Sequence, residues 1–381
     1  MKAVVFPGQG AQRKGMGVEL FERYPRLVEH ADTVLGYSLH ALCTDGADRL
    51  IDTRYTQPAL FVTGYLGYLD HTHRHGAPDM LAGHSVGEFV ALAAAGALDF
   101  IDALRLVDRR ARIMAAIRDG AMAAVIGPGR DEVEGLIARL GLDGLDIANE
   151  NSPTQTIVAG LSGEIDAFVE RCREAGTRAV RLRVSGAFHS RHMRPAAAEF
   201  AQALRETPFQ SPRIPVVANV TAQPHDAQIA ATMAAHLCSP VRWTQSVHTM
   251  LEAGVSEFVE IGPAPVLGPM IDEIRAGWRP QRRASAAEAH WPEFAPPPLA
   301  GTHAALAAAL HRLYADSAPC AADWATLWPR GLGVAGWPPL ELAATARGVR
   351  RQIRRALEIL IPAAASAQPA APSSYLHGRH P

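Results

Sequence analysis

Five residues, Gly83-His84-Ser85-Val86-Gly87, constrain this chain more than any other stretch. They follow an apolar run ending at Leu81-Ala82 and precede residues 88–96, an alanine- and leucine-rich segment that reads as a helix packed on a sheet. Strand, tight turn and buried helix in this order predict a parallel α/β layer, the setting in which a G-x-S-x-G sequence forms a nucleophile elbow. As a bare pattern the motif is weak, and its setting is what gives it weight. The flanking glycines allow a sharp bend, and the helix amino terminus aims N–H groups at developing negative charge. Ser85 is therefore the candidate nucleophile.

Further strands for such a layer are predicted at residues 3–6, closed by Pro7-Gly8-Gln9-Gly10, and at 215–219 and 257–261, each followed by turn residues. Between them the pattern changes. Strands at 121–126, 145–149, 155–159 and 178–184, with helices at 131–139 and 164–175, give a βαββαβ order, the split-βαβ ferredoxin-like arrangement. The expected fold is thus α/β: a hydrolase-like core with a parallel sheet, residues 1–118 and 187–276, and an inserted ferredoxin-like small subdomain, 119–186. From 277 to 361 the composition shifts towards Ala, Pro and Trp, with amphipathic helices expected at 303–314 and 347–361. Residues 362–381 offer little apolar side chain to bury and are expected to be disordered.

A formal net charge of -1 offers no basic excess to nucleic acid or anionic lipid. No apolar stretch stands behind a basic start, and charges interrupt the alanine-rich runs, so a cytoplasmic protein is expected. Cys43, Cys172, Cys238 and Cys320 are far apart without CxxC spacing and read as unpaired.

A serine nucleophile needs a base, and the chain has 16 histidines. His71, His73 and His75 resemble a metal tract but read as a solvated polar loop without carboxylate or cysteine partners. His84, on a sharp elbow, points away from its neighbour and reads as packing. His189, in Ser185-Gly-Ala-Phe-His-Ser190, sits where the small unit returns the chain to the large one, and clefts form at such junctions.

Eight blocks now follow one another in order: Phe6-Pro-Gly-Gln-Gly-Ala-Gln12, Thr56-Gln-Pro-Ala59, Gly83-His-Ser-Val-Gly-Glu88, Leu106-Val-Asp-Arg-Arg-Ala-Arg-Ile-Met114, Asn151-Ser-Pro153, Gly186-Ala-Phe-His-Ser190, Ser239-Pro-Val-Arg-Trp243 and Glu260-Ile-Gly-Pro263. Over residues 1–275 the chain resembles the malonyl-CoA:acyl carrier protein transacylases. Within them it is most similar to the free-standing acyltransferases serving modular polyketide synthases that lack their own, with the fatty-acid synthase enzymes further off.

The resemblance implies a ping-pong transfer of malonyl from malonyl-CoA, through an ester on Ser85, to the phosphopantetheine thiol of an acyl carrier protein. No metal or tightly bound cofactor is expected. It makes His189 the general base and later the acid, oriented by the main-chain carbonyl of Arg242, where fatty-acid enzymes usually carry glutamine. The backbone N–H groups of Gln9 and Val86 would be the oxyanion donors. Arg110 matches the carboxylate-binding arginine, whose planar fork suits a malonyl carboxylate, while Arg105, Arg109 and Arg112 point elsewhere on their helix. Val86 and the Gly-Ala-Phe-His segment resemble malonyl-selecting enzymes, in contrast to a glutamine after the serine and a Tyr-Ala-Ser-His segment. Phe188 would crowd a 2-methyl branch, giving a real but imperfect preference. The rival readings are an acyl hydrolase that unloads carrier proteins, a housekeeping fatty-acid transacylase and an idle scaffold subunit. Residues 305–328 resemble the linker that follows acyltransferase domains inside large polyketide synthases.

Overall fold

Eight strands form among the described residues: β1 (Lys2–Phe6), β2 (Met80–Gly83), β3 (Gly120–Ile126), β4 (Asp146–Ser152), β5 (Gln155–Leu161), β6 (Arg178–Arg181), β7 (Val216–Val217) and β8 (Glu257–Glu260). The computed structural model describes residues 1–117 and 119–279. Of the linker-like extension expected at 277–361, everything from residue 280 onward lies outside the described residues, with its two helices, Cys320 and the 362–381 tail, while Gly277 ends the helix Leu267–Gly277.

One sheet is parallel throughout, in the order β7-β2-β1-β8. Side chains alternate across its faces, and both faces are covered, which is why β1 is apolar and buried from Ala3 to Phe6. Val4 and Phe6 join Leu81 and Val86 in one core cluster, while Ala3 and Val5 join Met80, Ala82 and Trp243 in another. The register pairs Phe6 with Gly83. The loop starting at Pro7 and the elbow starting at His84 therefore leave neighbouring strand ends, at the carboxyl edge where open α/β sheets hold their ligands.

The second sheet is antiparallel, in the order β4-β5-β3-β6. Ala121, Ala123 and Val125 of β3 face Val133 and Ile137 of the helix Arg130–Leu140 and Phe168 of the helix Ser162–Glu174. Met122, with Ala148 and Ile157, turns the other way into the main core. The small sheet is also tied to the core by backbone: Val241 N–H, in the segment before the helix Trp243–Glu252, donates to the Ala148 carbonyl at 2.8 Å, and Glu150 N–H to the Val241 carbonyl at 2.9 Å. The architecture is an α/β hydrolase-like core with a ferredoxin-like subdomain, as the sequence leads one to expect.

Two local expectations need correction. Residues 71–75 are not a loop but the last turns of the helix Thr53–His75, which ends at Gly76 with φ 78°. Gly64 and Gly67 fall inside the helix without ending it, no proline follows Pro58 before Gly76, and a polar end to a helix looks like a loop by composition. Among the described residues no cluster of His, Cys, Asp and Glu is arranged to hold a metal. The strand expected at 215–219 is only two residues long, because Ala218 N–H bonds the Gln223 carbonyl and the Asn219 carbonyl accepts from Arg242 N–H. Leaving the ladder early frees the Asn219 side chain.

Candidate active site

The elbow is closed so tightly that side chains are excluded on both flanks of Ser85. A Cβ on Gly83 would lie 1.9 Å from the Gly87 carbonyl carbon, and one on Gly87 would lie 2.2 Å from the Phe6 carbonyl oxygen. Ser85 itself takes φ 53°, a left-handed conformation that costs a non-glycine residue about 1 kcal/mol or more. The surroundings hold it there: Ser85 N–H donates to Asn219 Oδ1 at 2.7 Å, and Asn219 Nδ2 donates to the Gly83 carbonyl at 2.6 Å.

His189 also has a positive φ, 59°, and is buried. Its Nε2 lies 2.8 Å from Ser85 Oγ, across 104 residues of sequence. Its Nδ1 lies 3.0 Å from the His236 carbonyl oxygen, an acceptor only. That contact assigns the proton to Nδ1 and leaves Nε2 free to accept from the serine. The orienting carbonyl is therefore His236 and not Arg242. The Arg242 carbonyl accepts instead from the N–H and hydroxyl of Ser246, both at 2.9 Å, in the first turn of the helix Trp243–Glu252. Burial pushes the imidazole down to about 3, with Arg110 and then His84 acting in the same direction and the carbonyl at His236 opposing them. His189 is neutral at neutral pH, as a base must be.

Arg110 projects inward from the helix Phe100–Ala116 and is 1% exposed. Nη2 donates to Ser85 Oγ at 3.1 Å and Nη1 to Gln57 Oε1. The chain of bonds continues from Gln57 Nε2 to Thr53 Oγ1 at 2.8 Å and from Thr53 Oγ1 to Gln9 Oε1 at 2.9 Å. Burial draws the guanidinium down to about 9, against the pull of Glu88, which still leaves it protonated at neutral pH. Its Nε has no partner among the described residues. A buried cation with a free donor is costly alone and suits an anionic guest. Arg105, Arg109 and Arg112 are exposed and pair with Asp102, Glu199 and Asp108.

Gln9 and Val86 stand on the two neighbouring loops, and neither N–H is hydrogen-bonded among the described residues. Phe188 is buried in the main core cluster. His84 is packed beside Trp243, ring centres 5.7 Å apart, with Nε2 2.9 Å from Asn151 Oδ1. Cys43 and Cys172 are buried and Cys238 half-buried, all unpaired. A cleft of about 500 Å³ opens on His189 between Arg130 and Ile147 of the small subdomain and Arg194, Cys238 and Pro240 of the core. A larger hollow of about 600 Å³ around Phe21, Val28 and Tyr37 includes none of these groups.

Sequence reasoning missed Gln57, Glu88, Asn219 and His236 as members of the site. Gln57 and Glu88 stand inside blocks already singled out, Gln57 just before the apolar run of residues 59–62 and Glu88 at the head of an apolar helix. That misfit was the available signal.

Residues 3–284 match the family described as the acyl transferase domain. The chain is 44% identical over 301 residues to the polyketide biosynthesis protein ThaF of Burkholderia thailandensis, covering 76% of this chain but only 26% of ThaF. It is 41% identical over 281 residues to the polyketide biosynthesis malonyl CoA-acyl carrier protein transacylase PksC of Bacillus subtilis, covering 72% of this chain and 97% of PksC. Among solved structures, a malonyl CoA-acyl carrier protein transacylase from Burkholderia pseudomallei superposes with a TM-score of 0.71 at 43% identity, covering 73% of this chain and 99% of that one.

Proposed function

The chain belongs to the acyl transferase domain family, and on that footing we propose that it transfers malonyl from malonyl-CoA to the phosphopantetheine thiol of an acyl carrier protein, supplying extender units to a polyketide synthase in the cytoplasm. The observation that carries this reading is the buried Arg110 fork, 3.1 Å from a serine that is itself 2.8 Å from a neutral histidine. Two parallel bonds from a guanidinium suit the malonyl carboxylate and leave the thioester carbon close to Ser85 Oγ.

The reaction then has two halves. His189 Nε2 takes the Ser85 proton as Oγ attacks the thioester carbonyl, and the N–H groups of Gln9 and Val86 receive the oxyanion. Collapse expels the coenzyme A sulfur, which takes its proton from His189 and leaves malonyl on Ser85. His189 next deprotonates the carrier thiol, whose sulfur attacks the ester, and returns that proton to Ser85 Oγ as it departs. In this assignment the core of 1–118 and 187–276 performs the chemistry while 119–186 supplies one wall of the cleft. Phe188 beside the base and Val86 beside the nucleophile favour malonyl over branched extenders. A hydrolase for neutral chains would leave the Arg110 charge buried without an anion, which disfavours that reading.

Incubation with malonyl-CoA and a phosphopantetheinylated carrier protein, followed by intact mass of both proteins, tests the proposal. A malonyl increment should appear first on this chain and then on the carrier. Free malonate with no loaded carrier would favour the hydrolase.

Acid should act on stability before it acts on catalysis. His189 titrates near 3, and His84 and His236 are also pulled below 6.5 by burial. Above 6.5 these groups are neutral in both folded and unfolded chains and contribute no pH dependence. As pH falls through 6.5 the unfolded chain takes up protons that the fold refuses, so stability declines from there towards about 3. The expected result is a Tm that falls steadily below pH 6.5 while kcat/KM per folded molecule shows no imidazole limb near that value. A kcat/KM profile bending at 6.5 would mean that His189 is not held neutral.

A further inference from the structure

Beneath the elbow lies a closed set of polar groups that the acyl transfer does not consume. Asn219, His236 and Glu88 are each 0% exposed, and His225 is buried beside them. The Asn219 amide is fully assigned by its partners. Nδ2 must face the Gly83 carbonyl, so Oδ1 accepts from Ser85 N–H and, at 3.2 Å, from His236 Nε2. Glu88 Oε2 receives Asn219 N–H at 3.0 Å, and Oε1 lies 2.7 Å from His225 Nε2.

His236 thus works at both ends. Its side chain holds the amide that holds the nucleophile's backbone, and its own carbonyl holds the base at Nδ1. We infer that Asn219 and His236 form a positioning bracket that sets the distance between Ser85 and His189, with Glu88 anchoring Asn219 from below. Neither residue meets the substrate. Both Ser85 and His189 have left-handed backbones, which persist only when neighbouring groups over-determine them. The bracket is the set of bonds that joins the two. A slip of about 1 Å between reacting groups is enough to cost a hundredfold in rate, so small losses here should register in catalysis.

The inference rests on Ser85 and His189 being the reacting pair but not on the malonyl assignment. The test therefore uses a fluorophosphonate, which reports serine reactivity without a carboxylate. The second-order rate of phosphonylation of the full chain should fall about thirtyfold in Asn219→Ala, at equal folded fraction, because the elbow loses its clasp. His236→Leu keeps the main-chain carbonyl and loses only the side-chain donor, and should fall about tenfold. His236→Gln restores a donor to Asn219 Oδ1 and should recover most of that loss. If Asn219→Ala does not fold, the two His236 variants decide the matter. Unchanged phosphonylation in His236→Leu, or a loss that His236→Gln does not repair, overturns the bracket, as would a lowered Tm with normal reactivity. Normal bracket behaviour in a chain that never acquires malonyl would sink the proposed function and leave this inference standing.

Discussion

Ser85→Ala is expected to acquire no malonyl increment, however long it is incubated with malonyl-CoA, and carrier loading should drop by on the order of 10⁴-fold or more. The effect is this large because Ser85 Oγ is the atom to which both neighbouring groups are directed, His189 Nε2 at 2.8 Å and Arg110 Nη2 at 3.1 Å. Removing the hydroxyl leaves the base without a proton to take. The fold should persist, since the elbow is held through the Ser85 backbone N–H and not through Oγ. Intact mass at several times, together with a Tm, separates loss of the nucleophile from loss of structure. A malonyl ester found on the folded variant would move the nucleophile elsewhere.

The second large effect concerns substrate class. On the role proposed for it, Arg110→Ala would remove a charge-assisted fork made in both ground and transition states, and malonyl loading should fall about a hundredfold. Acetyl and longer neutral groups should lose little. The quantity to compare is the ratio of malonyl to acetyl kcat/KM at one salt concentration, since a buried fork is poorly screened. A ratio that stays the same would refute both the role of Arg110 and the malonyl assignment. Arg110→Lys should restore only part of it, because an ammonium keeps the charge but not the planar fork. The same variant reaches His189. Arg110 is the second cause of its lowered pKa, so in Arg110→Ala the imidazole moves back towards 6.5 and the acid limb of acetyl transfer should move to higher pH.

The elbow was legible in the sequence because its glycines and its apolar flanks are side-chain facts. The small subdomain was legible for a similar reason, its two periods alternating in a short stretch. What escaped notice was of another kind. The acceptor for His189 is a main-chain carbonyl, which any residue type can supply, so nothing at His236 advertises it and the neighbouring block at Arg242 drew the assignment instead. Asn219 reads as the tail of an apolar strand, and its partnership with Glu88 spans 131 residues. Such closure is a property of the folded chain, set by how the sheet brings distant strand ends together. Composition misled at residues 71–75, where a polar helix end resembles a loop.

The backbone tie between Ala148, Glu150 and Val241 has a mechanical consequence. It acts as a splint across the mouth of the cleft, because the strand it fastens belongs to one wall and the chain segment carrying the His189 acceptor leads directly into the other. A hinge there would have to break paired backbone groups each time it swung. Swinging the two walls apart at this point would cost both bonds at once, so the splint resists opening there.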